Sequence, residues 1–214
     1  MPIMIRNSPA RIAELICIYI TELAQARQVP PWDPVEVRIE DLSQSDPHPV
    51  FVAPLTALVK GRLLEAVQQT GWRVLLAQGE RPVAEVELSG KSQRGAKGGS
   101  STLKVISLTR GPFTEATIEA LSVAEKLPIV AKAKYELRFL KAPAVYFAAL
   151  WLHGEKQDVL IPMVDPPGGL KKNRAYSEEQ VIKALRGIAQ QNQSFHDNFR
   201  EPRPKRRRKG KRSA

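Results

Sequence analysis

The chain has 214 residues, 43% apolar and 26% charged, the balance of a folded globular protein, which excludes a disordered or fibrous class. Its longest uncharged apolar run, "APAVYFAALWL" at 142 to 152, falls well short of the roughly 20 residues that span a bilayer, and its single cysteine, Cys17, excludes an internal disulfide. The formal charge of +11 is uneven: residues 1 to 53 carry 4 basic and 7 acidic groups, residues 54 to 193 carry 20 and 13, and residues 194 to 214 carry 9 and 2.

Ser8 and Pro9 fit an N-cap and a first helical residue, and Ile12, Leu15, Ile16, Tyr19 and Leu23 follow at helical spacing, which predicts a helix over about 9 to 27. Cys17, Ile18 and Ile20 fill the gaps between them, so the helix is expected to be packed on more than one side, with Cys17 a buried reduced thiol. The other use of such a helix is to dock a partner or a second copy through residues 9 to 27. Glu14 and Glu22 flank "ICIYI" and no small-residue cleavage site follows; no secretory signal is expected. The chain therefore reads as cytoplasmic, or nuclear in a eukaryote.

Six prolines between 28 and 54 forbid a long helix there. Within that connection "VEVRIE" alternates Val35, Val37 and Ile39 with charge, the period of one short strand. Leu55, Leu58, Val59, Leu63 and Val67 then predict a helix of about four turns that stops at Gly71. "WRVLLAQ" and "VAEVELS" around "GERP" predict a hairpin, and "GKSQRGAKGGSS" at 90 to 101 predicts a flexible loop.

"LKVISLT" reads as a strand, Gly111 and Pro112 as a helix start, and Ile118, Leu121, Ala124 and Leu127 as one face of a helix of about 15 residues ending at Pro128. Tyr135, Leu137 and Phe139 alternate with Glu136 and Arg138, as a strand with one wet face does. The uncharged run from Ala144 to Leu152 is expected at the centre of the sheet, followed by a turn at "HGEKQD" and a returning strand "VLIPM". Ser177 and Gln180 form a capping box for a last helix whose Val181, Ile182, Leu185 and Ile188 face one way, and the periodicity fades from Gln190. The fold class is thus α+β: a mostly antiparallel sheet of about six to seven strands with three to four helices packed against it. Three regions follow: residues 1 to 53, a helix and Pro-rich connection packed on the core; residues 54 to 193, the α+β core domain; and residues 194 to 214, a disordered basic tail.

No motif identifies a reaction. Gly90 and Gly95 have P-loop separation, but Ala96 stands where the lysine belongs, Lys97 is one place late and a strand follows. Cys17, His48, His153 and His196 lack the spacing of a zinc site, and no nucleophile elbow is present. No catalytic residue, metal or cofactor is assigned. An enzyme would need a pocket assembled by the fold around His153, near Glu155 and Asp158; a carboxylate within hydrogen-bond reach in a deep cleft would favour it. Trp72 and Trp151 read as core residues, and Trp32 as an edge cap.

The tail carries the strongest signal. Arg200, Arg203, Lys205, Arg206, Arg207, Arg208, Lys209, Lys211 and Arg212 lie within 13 residues, interrupted by Pro202, Pro204 and Gly210. Such a run can neutralise several phosphates and release their counterions. Lys171, Lys172 and Arg174 add three charges that could lie on the same side. The expected partner is a polyanion, RNA or DNA, and the expected role is a non-enzymatic binding or accessory protein. A nuclear address, an acidic protein or membrane surface, and simple solubility are the alternative uses of the tail.

Overall fold

The computed structural model describes residues 3–4, 9, 11–26, 38–90 and 103–198. The expected loop at 91 to 101, Trp32, Val35, Val37 and the basic run from Arg200 to Arg212 lie outside them. The elements are β1 (Ile3–Met4), α1 (Ile12–Gln25), β2 (Leu42–Gln44), β3 (His48–Val52), α2 (Leu55–Lys60), β4 (Gln68–Gln78), β5 (Arg81–Ser89), β6 (Lys104–Thr109), α3 (Pro112–Lys126), β7 (Tyr135–Ala142), β8 (Phe147–Gly154), β9 (Val159–Pro162) and α4 (Glu178–Asn198). One mixed sheet runs β6-β5-β4-β3-β7-β8-β9, with β1 beside β7 and β2 beside β4. All described pairings are antiparallel except β3 with β7 and β1 with β7. The class is α+β, with four α-helices among the described residues on a mostly antiparallel sheet.

Cross-strand partners explain the layers. Trp72, Val74 and Leu76 stand opposite Leu88, Val86 and Ala84 on one face of the β4–β5 hairpin, and Ile12, Ile16 and Ile20 of α1 close that core. Further along the same face, Leu58 of α2 and Val181, Leu185 and Ala189 of α4 cover Phe51, Leu140, Ala149 and Trp151. The opposite face carries α3, whose Ala116, Ala120 and Ala124 lie on Val50, Phe139, Leu150 and Ile161. Trp72 and Trp151 are buried, as the sequence predicts.

Several expectations are corrected. The helix after Pro54 has six residues rather than four turns, because Gly61 adopts the left-handed conformation at φ 71° and caps it. Gly71 is not a helix stop but a strand residue. Ile39 lies in a 3-10 turn, and the described strands of the Pro-rich segment are Leu42–Gln44 and the longer His48–Val52. His48–Val52, not β8, takes the central place in the sheet. On α3, Ile118 is 36% exposed while Thr114 and Thr117 are buried. Cys17 is exposed, with Gln44 Nε2 3.4 Å from its Sγ, and Ile18 beside it is 45% exposed. A docking use of α1 would therefore fall on the Cys17 and Ile18 side, since Leu15 and Tyr19 are half-buried. The last helix continues to Asn198, so residues 194 to 198 are helical rather than part of a tail.

Gly71 shows how tightly the hairpin is built. A Cβ there would lie 1.9 Å from the Leu88 carbonyl oxygen, an obstacle that only backbone movement can relieve. Gly71→Ala is expected to destabilise the fold by about 1–3 kcal/mol, the cost of overpacking a tight core, measured by urea unfolding. Gly79→Ala, where a side chain meets nothing but φ is 59°, separates the effect of crowding from that of backbone strain.

Candidate functional site

The three basic residues predicted beside the tail lie on the β9–α4 connection. That connection is held to the body. Tyr176 pairs with Leu160 in both directions at 2.9 Å, its hydroxyl accepts from the Lys171 amide at 2.9 Å, and the Asn173 amide donates to the Pro162 carbonyl at 2.8 Å. At Gly168, with φ of 73°, a Cβ would stand 2.4 Å from the Ala184 carbonyl oxygen, so the loop lies against α4. The predicted capping box then opens the helix: the Gln180 amide donates to Ser177 Oγ at 3.3 Å and the Ser177 amide to Gln180 Oε1 at 2.9 Å.

The three cations differ in availability. Lys172 Nζ lies 3.4 Å from Glu119 Oε2 on α3, and Asn173 Nδ2 donates to the same oxygen at 2.7 Å. These two hydrogen bonds, the Asn173 bond foremost, and the Lys172 charge hold the Glu119 carboxyl below its ordinary range. Arg174 stands 5.8 Å over the Tyr176 ring. The Lys171 ammonium has no partner among the described residues. The 21 residues of α4 separate this loop from Asn198 by about 30 Å. The β9–α4 loop and Asn198 are therefore at opposite ends of one helix.

His153 does meet a carboxylate. Its Nδ1 is 2.8 Å from Asp158 Oδ1, and the same oxygen accepts the Trp151 indole hydrogen at 2.8 Å. The imidazole side chain is 40% exposed. Beside it, Arg138 lies 4.6 Å over the Trp151 ring and 5.0 Å over Phe51, and bonds Glu136 at 2.9 Å. No hydroxyl or thiol is hydrogen-bonded to the imidazole among the described residues. The arrangement ties the two ends of the β8–β9 turn together, and an acid/base pair without a reacting neighbour is all the chemistry it offers.

A larger polar group lies under the start of α3, and sequence reasoning missed it. Arg73 is 1% exposed, contacts Glu85, donates to Thr117 Oγ1 at 3.0 Å, and lies 4.2 Å over Phe139 and 5.1 Å over Phe113. Glu87 pairs with Lys141 on the same face. Burial pushes the Arg73 guanidinium down to about 10, against the pull of Glu87, so it stays charged at neutral pH. His48, paired across the sheet with Arg73, is 3% exposed, and neither ring nitrogen has a hydrogen-bond partner among the described residues. Burial first, and the Arg73 charge second, push its pKa down to about 4. The only signal in the sequence was a lone Arg73 in β4 facing Glu85 and Glu87 at alternate positions of β5, which also fits a wet face.

No group of three or more His, Cys, Asp or Glu side chains that could hold a metal occurs among the described residues. No helix among them is long and apolar enough to cross a membrane. No family model matches the chain, nor does any curated protein or any solved structure.

Proposed function

We propose that the chain is a non-enzymatic accessory protein that works in the cytoplasm and contacts RNA or DNA, bare or within a nucleoprotein, through its C-terminal basic segment. The observation that carries this reading is nine cations within 13 residues at 200 to 212. A segment of that density neutralises phosphates without regard to base sequence, so it sets affinity while the folded body sets where the protein acts. Lys171 contributes from the body. Lys172 contributes less, since Glu119 already compensates it.

The test is a full-length variant with Arg206, Arg207, Arg208 and Lys209 replaced by glutamine, titrated against a labelled single strand and a labelled duplex. Removing four phosphate contacts is expected to lower the slope of log affinity against log salt by about 3 in absolute value and to weaken binding to both probes alike. Unchanged affinity in the variant would remove nucleic acid as the tail's partner and leave acidic proteins, membranes and solubility as its uses.

A further inference from the structure

A cavity of about 470 Å³ opens at one end of the sheet, between the α3–β7 connection and the β8–β9 turn, and three of its lining residues are Lys132, Lys134 and Lys156. We infer that this cavity binds a phosphomonoester of mononucleotide size. Its volume lies within the about 300–1,000 Å³ range of small-ligand sites. None of the three ammonium groups has an ion-pair partner among the described residues. Glu155 is the one carboxylate in the lining, so the site carries a surplus of two positive charges. A phosphomonoester carries about −1.5 to −2 at neutral pH. That charge matches the surplus, and compact ammonium groups suit the oxygens of a phosphate, which needs no flat fork.

The wall is built rather than accidental. Gly154 pairs with Tyr135 across the β7–β8 ladder, and a Cβ on Gly154 would stand 2.6 Å from the Tyr135 ring and 2.7 Å from the Gln157 carbonyl oxygen. Gln157 Nε2 donates to the Tyr135 hydroxyl at 3.3 Å, so the turn carrying Lys156 is fastened to the strand that follows Lys134. Tyr135, 2% exposed, forms a packed part of the wall rather than a mobile one. Ile129 and Ala133 supply the apolar side of the lining, where a sugar or base can rest. All the lining residues fall between Ile129 and Gln157, none of them in the basic segment from 200 onward.

The phosphate could belong to a free nucleotide or to the 5′ end of a strand, and the experiment separates the two. The full chain is titrated calorimetrically with AMP, with adenosine and with inorganic phosphate, and then in competition with one oligonucleotide carrying either a 5′-phosphate or a 5′-hydroxyl. AMP is expected to bind and adenosine not to. Lys132→Ala, Lys134→Ala and Lys156→Ala should each weaken AMP by about tenfold, the loss of one charge-assisted contact. Lys183→Ala, an exposed lysine on α4, should leave it unchanged, and so should the tail variant with four glutamines. Preference for the 5′-phosphorylated strand with weak AMP binding, erased by the same three substitutions, identifies a strand end as the ligand. Equal binding of AMP and adenosine, no binding of either AMP or the phosphorylated strand, or equal sensitivity to Lys183→Ala would overturn the inference.

Discussion

Arg73→Ala is expected to cost about 3–5 kcal/mol of folding stability, the usual penalty for breaking a buried ion pair from one side. The guanidinium is 1% exposed and contacts Glu85, whose side chain is 12% exposed. Truncation leaves that carboxylate in a poorly hydrated place with a Thr109 hydroxyl at 3.2 Å as its remaining bond, and it also removes the stacking on Phe113 and Phe139. Arg73→Lys should recover only part of the loss, because an ammonium lacks the broad, weakly hydrated guanidinium surface that meets the Phe113 and Phe139 rings. The pair Arg73→Met with Glu85→Gln, which removes both charges, should lose less than the sum of the single changes, by about 1–3 kcal/mol of coupling. Urea unfolding of the four proteins measures this. A single-variant loss under about 1 kcal/mol would mean that the group under α3 is open to water.

The second large effect is on acid stability. The unfolded chain holds His48 near the ordinary histidine value of 6.5, whereas the folded chain holds it at about 4. Between those values the unfolded state binds a proton that the folded state refuses, so stability rises with pH across the window and is level above it. The full window corresponds to about 3 kcal/mol. His48→Gln is neutral throughout and should not share the loss. The stability difference between the two proteins should therefore shift in the variant's favour by about 2–3 kcal/mol from pH 7 to pH 4.5. Parallel curves would show that His48 reaches water or a partner when protonated.

Apolar periodicity made the β4–β5 hairpin, β7, β8 and β9 legible, and the Ser177 capping box located the start of α4. It failed where one residue overrode a pattern. Gly61 in the left-handed region ends a helix whose apolar spacing Leu63 and Val67 continue. The strand His48–Val52 contains Pro49 and lies in a Pro-rich stretch, which argues for a loop unless long-range pairing is known. Arg73, Glu85 and Glu87 occupy the alternate positions that ordinarily meet solvent, and only the placement of α3 reveals them as an inner face.

The sites divide in the same way. The basic run at 200 to 212 is plain in composition. The lysine cavity is not, because Lys134 and Lys156 are brought together by the pairing of Tyr135 with Gly154, a long-range register that no local pattern reports. The His153 contact with Asp158 was foreseeable as a neighbourhood, but its second partner, the Trp151 indole, depends on β8 geometry.

The most direct test of the account is the affinity of the full-length protein for a labelled single strand and for a duplex across a series from 50 to 200 mM salt. If the basic segment neutralises about six phosphates, log affinity should fall with log salt at a slope of about −4 to −5, a loss of about 300- to 1,000-fold over that range. Absence of binding to either probe at 50 mM salt, or binding that is indifferent to salt, would contradict the electrostatic role assigned to residues 200 to 212.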